Sequence, residues 1–132
     1  MKIHQILCSL VFALLFSVSG FAADEAKQKF DSVTIKDSYG KSRTLSEFKG
    51  SKLVVVAFLG TECPLAKLYG PRLQQLSEKF KSTDVSFVGV CANVQDSLTE
   101  ITAYTNKAGI SFSMLVDNEQ VLTDLLDDTA TT

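Results

Sequence analysis

Apolar and polar positions along this chain change period several times, and each change marks an element. Residues 53–59 (Leu53, Val54, Val55, Val56, Ala57, Phe58, Leu59) form an unbroken apolar run rich in β-branched side chains. Alternation is absent, so the run predicts a strand buried on both faces, as in the centre of a covered sheet. Gly60, Thr61 and Glu62 break it. From Pro64 onward the apolar residues fall at Leu65, Leu68, Tyr69, Leu73, Leu76 and Phe80, which is helical spacing. Pro64 suits the first helical turn, where its missing N–H costs nothing, and Gly70-Pro71 inside the helix predicts a kink. Residues 85–91 read as another buried strand. Asp96 or Ser97 can cap the next helix, and Ser97 with Glu100 has capping-box spacing. That helix should carry Leu98, Ile101 and Tyr104 inward and end at Gly109. A third strand over 110–116, a turn at Asp117-Asn118 and an amphipathic turn or two over 121–126 follow.

Ahead of these lies a small hairpin. A polar lead-in over 23–31 gives way to a short strand over 32–36. A turn at Asp37-Ser38-Tyr39-Gly40 leads to a second short strand over 41–45, and a single helical turn runs from Leu45 to Phe48. Strand and helix then alternate to the end. Alternation of this kind predicts an α/β fold with a largely parallel central sheet covered by helices. The chain of 132 residues has room for one domain.

The first residues do not belong to that domain. Lys2 and His4 make a weakly basic start, residues 6–16 are apolar except for Ser9, and Gly20 and Ala22 put small side chains at the −3 and −1 positions of a cleavage site. This layout predicts a secretory signal peptide over 1–22, leaving a domain over 23–132 that is secreted or periplasmic. The apolar stretch is shorter than the roughly 20 residues a spanning helix needs, so no stable membrane span is expected after cleavage. Cleavage removes His4, the chain's one histidine, and with it imidazole metal sites, Cys–His nucleophilic pairs and histidine bases. Two thiols and Met114 make a poor ligand set, so neither a metal nor another cofactor is expected. The formal net charge is −2 and no basic run stands out, which argues against a nucleic-acid partner.

Of three cysteines, Cys63 and Cys91 remain after cleavage, in a compartment where disulfides can form. Cys63 occupies the join between a buried strand and a helix N-terminus. In open parallel sheets sites gather at the carboxyl ends of the strands, and a helix N-terminus offers free N–H groups and partial positive charge. Both favour thiolate, so the Cys63 pKa should fall below the usual value of about 8.5. Lys67 lies one turn on, and Glu62 beside the sulfur opposes the effect. The competing reading is an inert core cysteine.

The run from Phe58 to Ala66, with Cys63-Pro64 at its centre and Pro71 beyond, resembles the active-site segment of thioredoxin-like proteins. It is more closely similar to the redoxin branch of the alkyl hydroperoxide reductase/thiol-specific antioxidant type. Val33, Thr34, Ile35, Lys36 and Asp37, then Gly40 and the stretch from Leu45 to Gly50, fit that branch's lead-in. The resemblance implies a thioredoxin-like fold and a thiol-dependent antioxidant activity. The Cys63 thiolate would reduce a peroxide or exchange with a protein disulfide, with an external thiol as reductant. It also marks departures. Ala66 stands where thioredoxins carry their second cysteine. Thr61 lies two residues before Cys63, where peroxiredoxins place a threonine three before; its hydroxyl could still orient a peroxide. The arginine that peroxiredoxins hold against the thiolate has no clear counterpart in Arg43 or Arg72. In the family's topology the strands ending near Cys63 and Cys91 are neighbours. Cys91 is then either the resolving thiol, given a Cα separation within about 7 Å, or a small buried hydrophobe. The family continues with a proline beside the active cysteine, a hairpin and a helix. The chain ends at Thr132 and its only prolines are Pro64 and Pro71, so a fragment is expected. If catalysis is lost, a thioredoxin-fold binding module is the alternative function.

Overall fold

The computed structural model describes residues 29–127. The signal peptide expected over 1–22 lies outside them. After one helical turn at residues 29–32, the order is β1 (Thr34–Asp37), β2 (Ser42–Thr44), a 3-10 turn (Leu45–Phe48), β3 (Leu53–Phe58), α1 (Pro64–Lys79), β4 (Val85–Cys91), α2 (Leu98–Lys107), β5 (Ser113–Val116) and α3 (Val121–Asp127). The five strands form one sheet in the order β2-β1-β5-β4-β3. β3, β4 and β5 run parallel, with Val56 opposite Val88 and Val90 opposite Leu115. β1 joins antiparallel to both β2 and β5. The predicted α/β alternation and the N-terminal hairpin are present. Gly40 closes the hairpin turn at φ 77°, a conformation only glycine adopts without strain.

Both faces of the sheet are covered. On one, Leu59, Cys91 and Met114 pack against Ala66 of α1 and Ile101 and Tyr104 of α2. On the other, Ile35, Val88, Val90 and Leu115 pack against Leu45 of the 3-10 turn and Leu122 of α3. Neighbours in sequence thus serve opposite cores, as the period of two in a strand requires. Gly89 leaves room for the Met114 side chain, since a Cβ there would stand 2.7 Å from its sulfur.

Three expectations need correction. β3 is an edge strand: among the described residues it pairs with β4 alone, so Leu53 and Phe58 at its ends are exposed and its middle is half-buried. A continuous apolar run records burial above and below the sheet, not the number of strand neighbours. The side chains of α1 at helical spacing also turn the other way. Leu65, Leu68, Tyr69 and Leu76 are exposed, whereas Ala66, Gly70 and Gln74 are buried. Small residues bring α1 close to α2: a Cβ at Gly70 would lie 2.5 Å from the Tyr104 hydroxyl and 3.3 Å from the Ala108 Cβ. Leu98, expected inward, is exposed at the first position of α2, over the Gly40 turn. The helix α1 itself is continuous through Pro71.

Candidate active site

The site is built where β3 and β4 end side by side. The Leu59 N–H donates to the Val90 carbonyl at 2.8 Å, the last link between the two strands, and the chain then turns through Gly60, Thr61 and Glu62. Cys63 closes that turn with its N–H on the Gly60 carbonyl (3.3 Å), and its own carbonyl accepts the Lys67 N–H (3.0 Å). It is the N-cap of α1, with extended backbone, and its side chain makes no capping hydrogen bond. Pro64 follows at the first helical position, as predicted. The Cys63 thiol is exposed, at a helix end whose N–H groups lack partners within the helix.

Lys67 is not free to act on the sulfur alone. Its ammonium pairs with Glu62 at 3.0 Å, and both side chains are half or more exposed, so the pair is weak and exchangeable. Neither arginine supplies the missing cation. Arg43 is held by Asp37 (2.9 Å) and Glu47 (3.3 Å), and Arg72 lies over the Tyr69 ring at 5.1 Å.

Behind the exposed thiol stands a buried carboxylate, Asp96, whose place in the sequence suggests only a helix cap. Asp96 Oδ2 accepts the Thr61 N–H (2.9 Å) and the Cys91 thiol (3.2 Å), and Oδ1 accepts the Asn93 amide (2.9 Å). Burial pushes the Asp96 carboxyl up, but the hydrogen bonds outweigh it, the Thr61 N–H first, and the net pKa is lowered. Asp96 is therefore an anion that ties the turn before Cys63 to the end of β4. The cap itself is Ser97. Its side chain receives the Glu100 N–H at 3.3 Å and Glu100 returns a bond from the Ser97 N–H at 2.8 Å, the capping box predicted from their spacing.

Cys91 is 1% exposed, and its thiol is free, as is that of Cys63. Burial first, then the hydrogen bond the thiol gives to Asp96 and that carboxylate's charge, outweigh the lowering effect of the Asn93 backbone and push the Cys91 pKa up to about 11, so it stays a protonated thiol near neutrality. Thr61 is buried too. Its hydroxyl has no partner at hydrogen-bonding geometry, although it stands near enough to Asp96 to help hold that carboxylate charged. The Tyr104 hydroxyl donates to the Ala66 carbonyl at 2.7 Å, in the first turn of α1. Its pKa is raised by burial first and by the Cys63 and Cys91 sulfurs after that. Of the three residues singled out from the sequence, Cys63 is on the surface, while Thr61 and Cys91 lie beneath it, joined through Asp96. A second acidic residue beside the capping serine was the one sequence signal for Asp96.

A cleft of about 470 Å³ opens between α1 and α2, beginning at Thr61 and Glu62. Pro71, Ala103, Tyr104 and Ala108 give it apolar walls.

A family model described as the AhpC/TSA family matches residues 26–128. The chain is 31% identical over 97 residues to chloroplastic peroxiredoxin Q of Populus jackii, covering 74% of this chain and 44% of that protein. It is 30% identical over 103 residues to the thiol-disulfide oxidoreductase ResA of Halalkalibacterium halodurans, covering 75% of this chain and 57% of that one. The chain thus spans about half the length of the curated relatives it matches. Among solved structures, a secreted Mycobacterium tuberculosis disulfide oxidoreductase homologous to E. coli DsbE superposes with TM-score 0.66 at 19% identity, over 76% of this chain and 71% of that one. Xanthomonas campestris peroxiredoxin Q gives 0.64 at 24% identity, over 75% and 60%. These structural likenesses establish the thioredoxin-like fold.

Proposed function

The chain belongs to the AhpC/TSA family, whose members similar to it are thiol-dependent redoxins, and on that premise we propose that it is a single-thiol peroxidase acting through Cys63. The observation that carries this reading is the isolation of the exposed thiol. Ala66 offers no second sulfur on α1, and Cys91 is buried, protonated and bonded to Asp96. One accessible thiol is enough to reduce a peroxide. The Cys63 thiolate attacks the hydroxyl-bearing peroxide oxygen, the S–O bond forms as the O–O bond breaks, and the departing hydroxide or alkoxide takes a proton from solvent to leave as water or alcohol. The sulfur is then a sulfenic acid. Thr61 serves as a positioning residue through the bond from its N–H to Asp96, which sets the turn ahead of Cys63. Cys91 has no part in resolution while it stays sealed under that carboxylate.

The similarity to ResA favours a second reading, in which Cys63 attacks a protein disulfide. With one reachable thiol such an exchange halts at the mixed disulfide until another thiol arrives. We propose further that residues 1–22 direct export and that the domain over 23–132 works in the cell envelope, as its sequence layout suggests.

The test is stoichiometric. One equivalent of hydrogen peroxide or cumene hydroperoxide should convert Cys63 to a sulfenic acid trapped by dimedone and located by peptide mass spectrometry. Cys63→Ser should consume no peroxide above the buffer rate, and Cys91→Ser should keep the reaction. Absence of dimedone adduct at Cys63 in the wild type excludes the peroxidase reading.

A further inference from the structure

We propose that two copies of this chain associate through the open edge of β3, their sheets joining into one across a twofold axis at Val56. The association is independent of the reaction at Cys63.

The backbone of β3 sets the register. Leu53 and Leu59 turn their N–H groups inward, onto the Asp84 and Val90 carbonyls. Backbone groups alternate sides along a strand, so those of Val54, Val56 and Phe58 face outward, where no strand meets them among the described residues. An antiparallel neighbour bonds such outward residues in facing pairs. A second β3 laid antiparallel sets Val56 opposite its own counterpart and Val54 opposite Phe58, and every outward group from 54 to 58 finds a partner. Residues 53–58 hold no charge and no proline, the features that guard natural sheet edges. β2, at the other edge of the sheet, is guarded: it is three residues long and one of them is Arg43. The pairing therefore closes at two copies and does not propagate.

Helix α1 extends the same surface. Ala66, Gly70 and Gln74 form the stripe turned to α2 and the residues after it, through the bond to Ala66 from Tyr104, the close approach at Gly70 and the Gln74–Ser111 bond. Leu73 packs into the core over the sheet. Leu65, Tyr69 and Leu76 lie on the far side of Leu73 from the α2 stripe, and all three are exposed. That side overhangs the free edge of β3. A twofold axis normal to the joined sheet brings the two α1 helices side by side on one face, apolar stripe against apolar stripe. The exposed Phe58 is covered on the other face by Val54 of the second copy.

Charge favours the antiparallel second copy over other occupants. Lys52 precedes β3 and Glu62 follows it. Antiparallel pairing brings Lys52 of each copy to the turn that carries Glu62 of the other, at both ends of the seam. Parallel pairing would set like charges together. The present partners of these residues, Asp84 at 2.7 Å and Lys67 at 3.0 Å, are held in exposed pairs that exchange at little cost.

The test follows the full chain by sedimentation and by residue-resolved amide exchange. A dimer is expected, and the Val56 and Phe58 N–H groups should exchange at least tenfold more slowly in it than in the dilute monomer. Leu65→Glu with Tyr69→Glu, both at exposed positions, should raise the dissociation constant at least tenfold while the circular dichroism spectrum is unchanged. Lys52→Glu and Glu62→Lys should each weaken the dimer about threefold, and the two together in one chain should restore it. A wild-type chain that stays monomeric to about 200 μM overturns the proposal and leaves the edge to a strand of another protein. A dimer in which Val56 and Phe58 exchange as fast as in the monomer, or one that the Leu65 and Tyr69 substitutions leave intact, also overturns it and places the contact elsewhere, as in the apolar residues 6–16.

Discussion

Asp96 shows how a residue gains meaning only from its neighbours. Sequence places it beside a capping serine, and that local role is real for Ser97 and Glu100. Its bonds to Thr61 and Cys91 depend on β3 and β4 ending together, a pairing between segments about thirty residues apart that no local pattern encodes. Cys63 was legible because its signal is local, a strand followed by a helix start with Pro64 behind it. Two pH effects follow. Cys91 has its pKa raised to about 11 in the folded chain. The folded state therefore holds this proton more tightly than the unfolded one. The resulting stability is complete below about pH 8.5, the ordinary thiol value, and is lost as pH rises toward 11. Asp37 and Asp96 are shifted the other way. For Asp37 burial opposes the shift, and the Arg43 pair with the Tyr39 and Lys41 N–H groups outweighs it. Their contribution is present above about pH 4 and is lost as pH falls below that. Urea midpoints measured across pH should decline on both limbs. Cys91→Ala should flatten the alkaline limb and Asp37→Asn the acid one.

At the scale of the element, helix α1 separates what periodicity reveals from what it does not. Regular spacing of Leu65, Leu68, Tyr69 and Leu76 correctly gave a helix, yet the helix buries its small-residue stripe instead. Hydrophobic spacing tells the period of an element; which side faces inward depends on the shape of the partner. Here Tyr104 needs the space that Gly70 leaves. Leu68→Lys should therefore change stability by no more than about 0.5 kcal/mol, the range of ordinary surface substitutions. Gly70→Ala gains helix propensity of about 1 kcal/mol, but overpacking against Tyr104 and Ala108 costs about 1–3 kcal/mol. Net destabilisation by urea denaturation is expected, and Tyr104→Phe in the same chain should recover part of it by removing the clashing oxygen. For contrast, Leu122→Ala, at a fully buried α3 position, should cost about 2–5 kcal/mol. β3 repeats the lesson, because its run of apolar residues described its faces and left its strand neighbours unspecified.

Across the whole molecule, alternation of strands and helices was enough to give the α/β class and the three parallel strands. The antiparallel seating of β1 against β5 was not legible, since it joins segments about eighty residues apart. That seating sets the order of the sheet and leaves β4 between β3 and β5, and the thiol at its end is covered by Ala66 of α1 and Ile101 and Tyr104 of α2 on one face of the sheet. Cys91 can meet a reagent in solution only when the Asp96 clasp and the helices above it part. Its modification rate, divided by that of a free thiol, is then the equilibrium constant for that parting in the rapid-reclosing regime. Loosening the clasp with Asp96→Asn should quicken Cys91 labelling at least tenfold, read at the Cys91 peptide while Cys63 is blocked. Each molecule in this way keeps its own clock of how often the end of the sheet comes open.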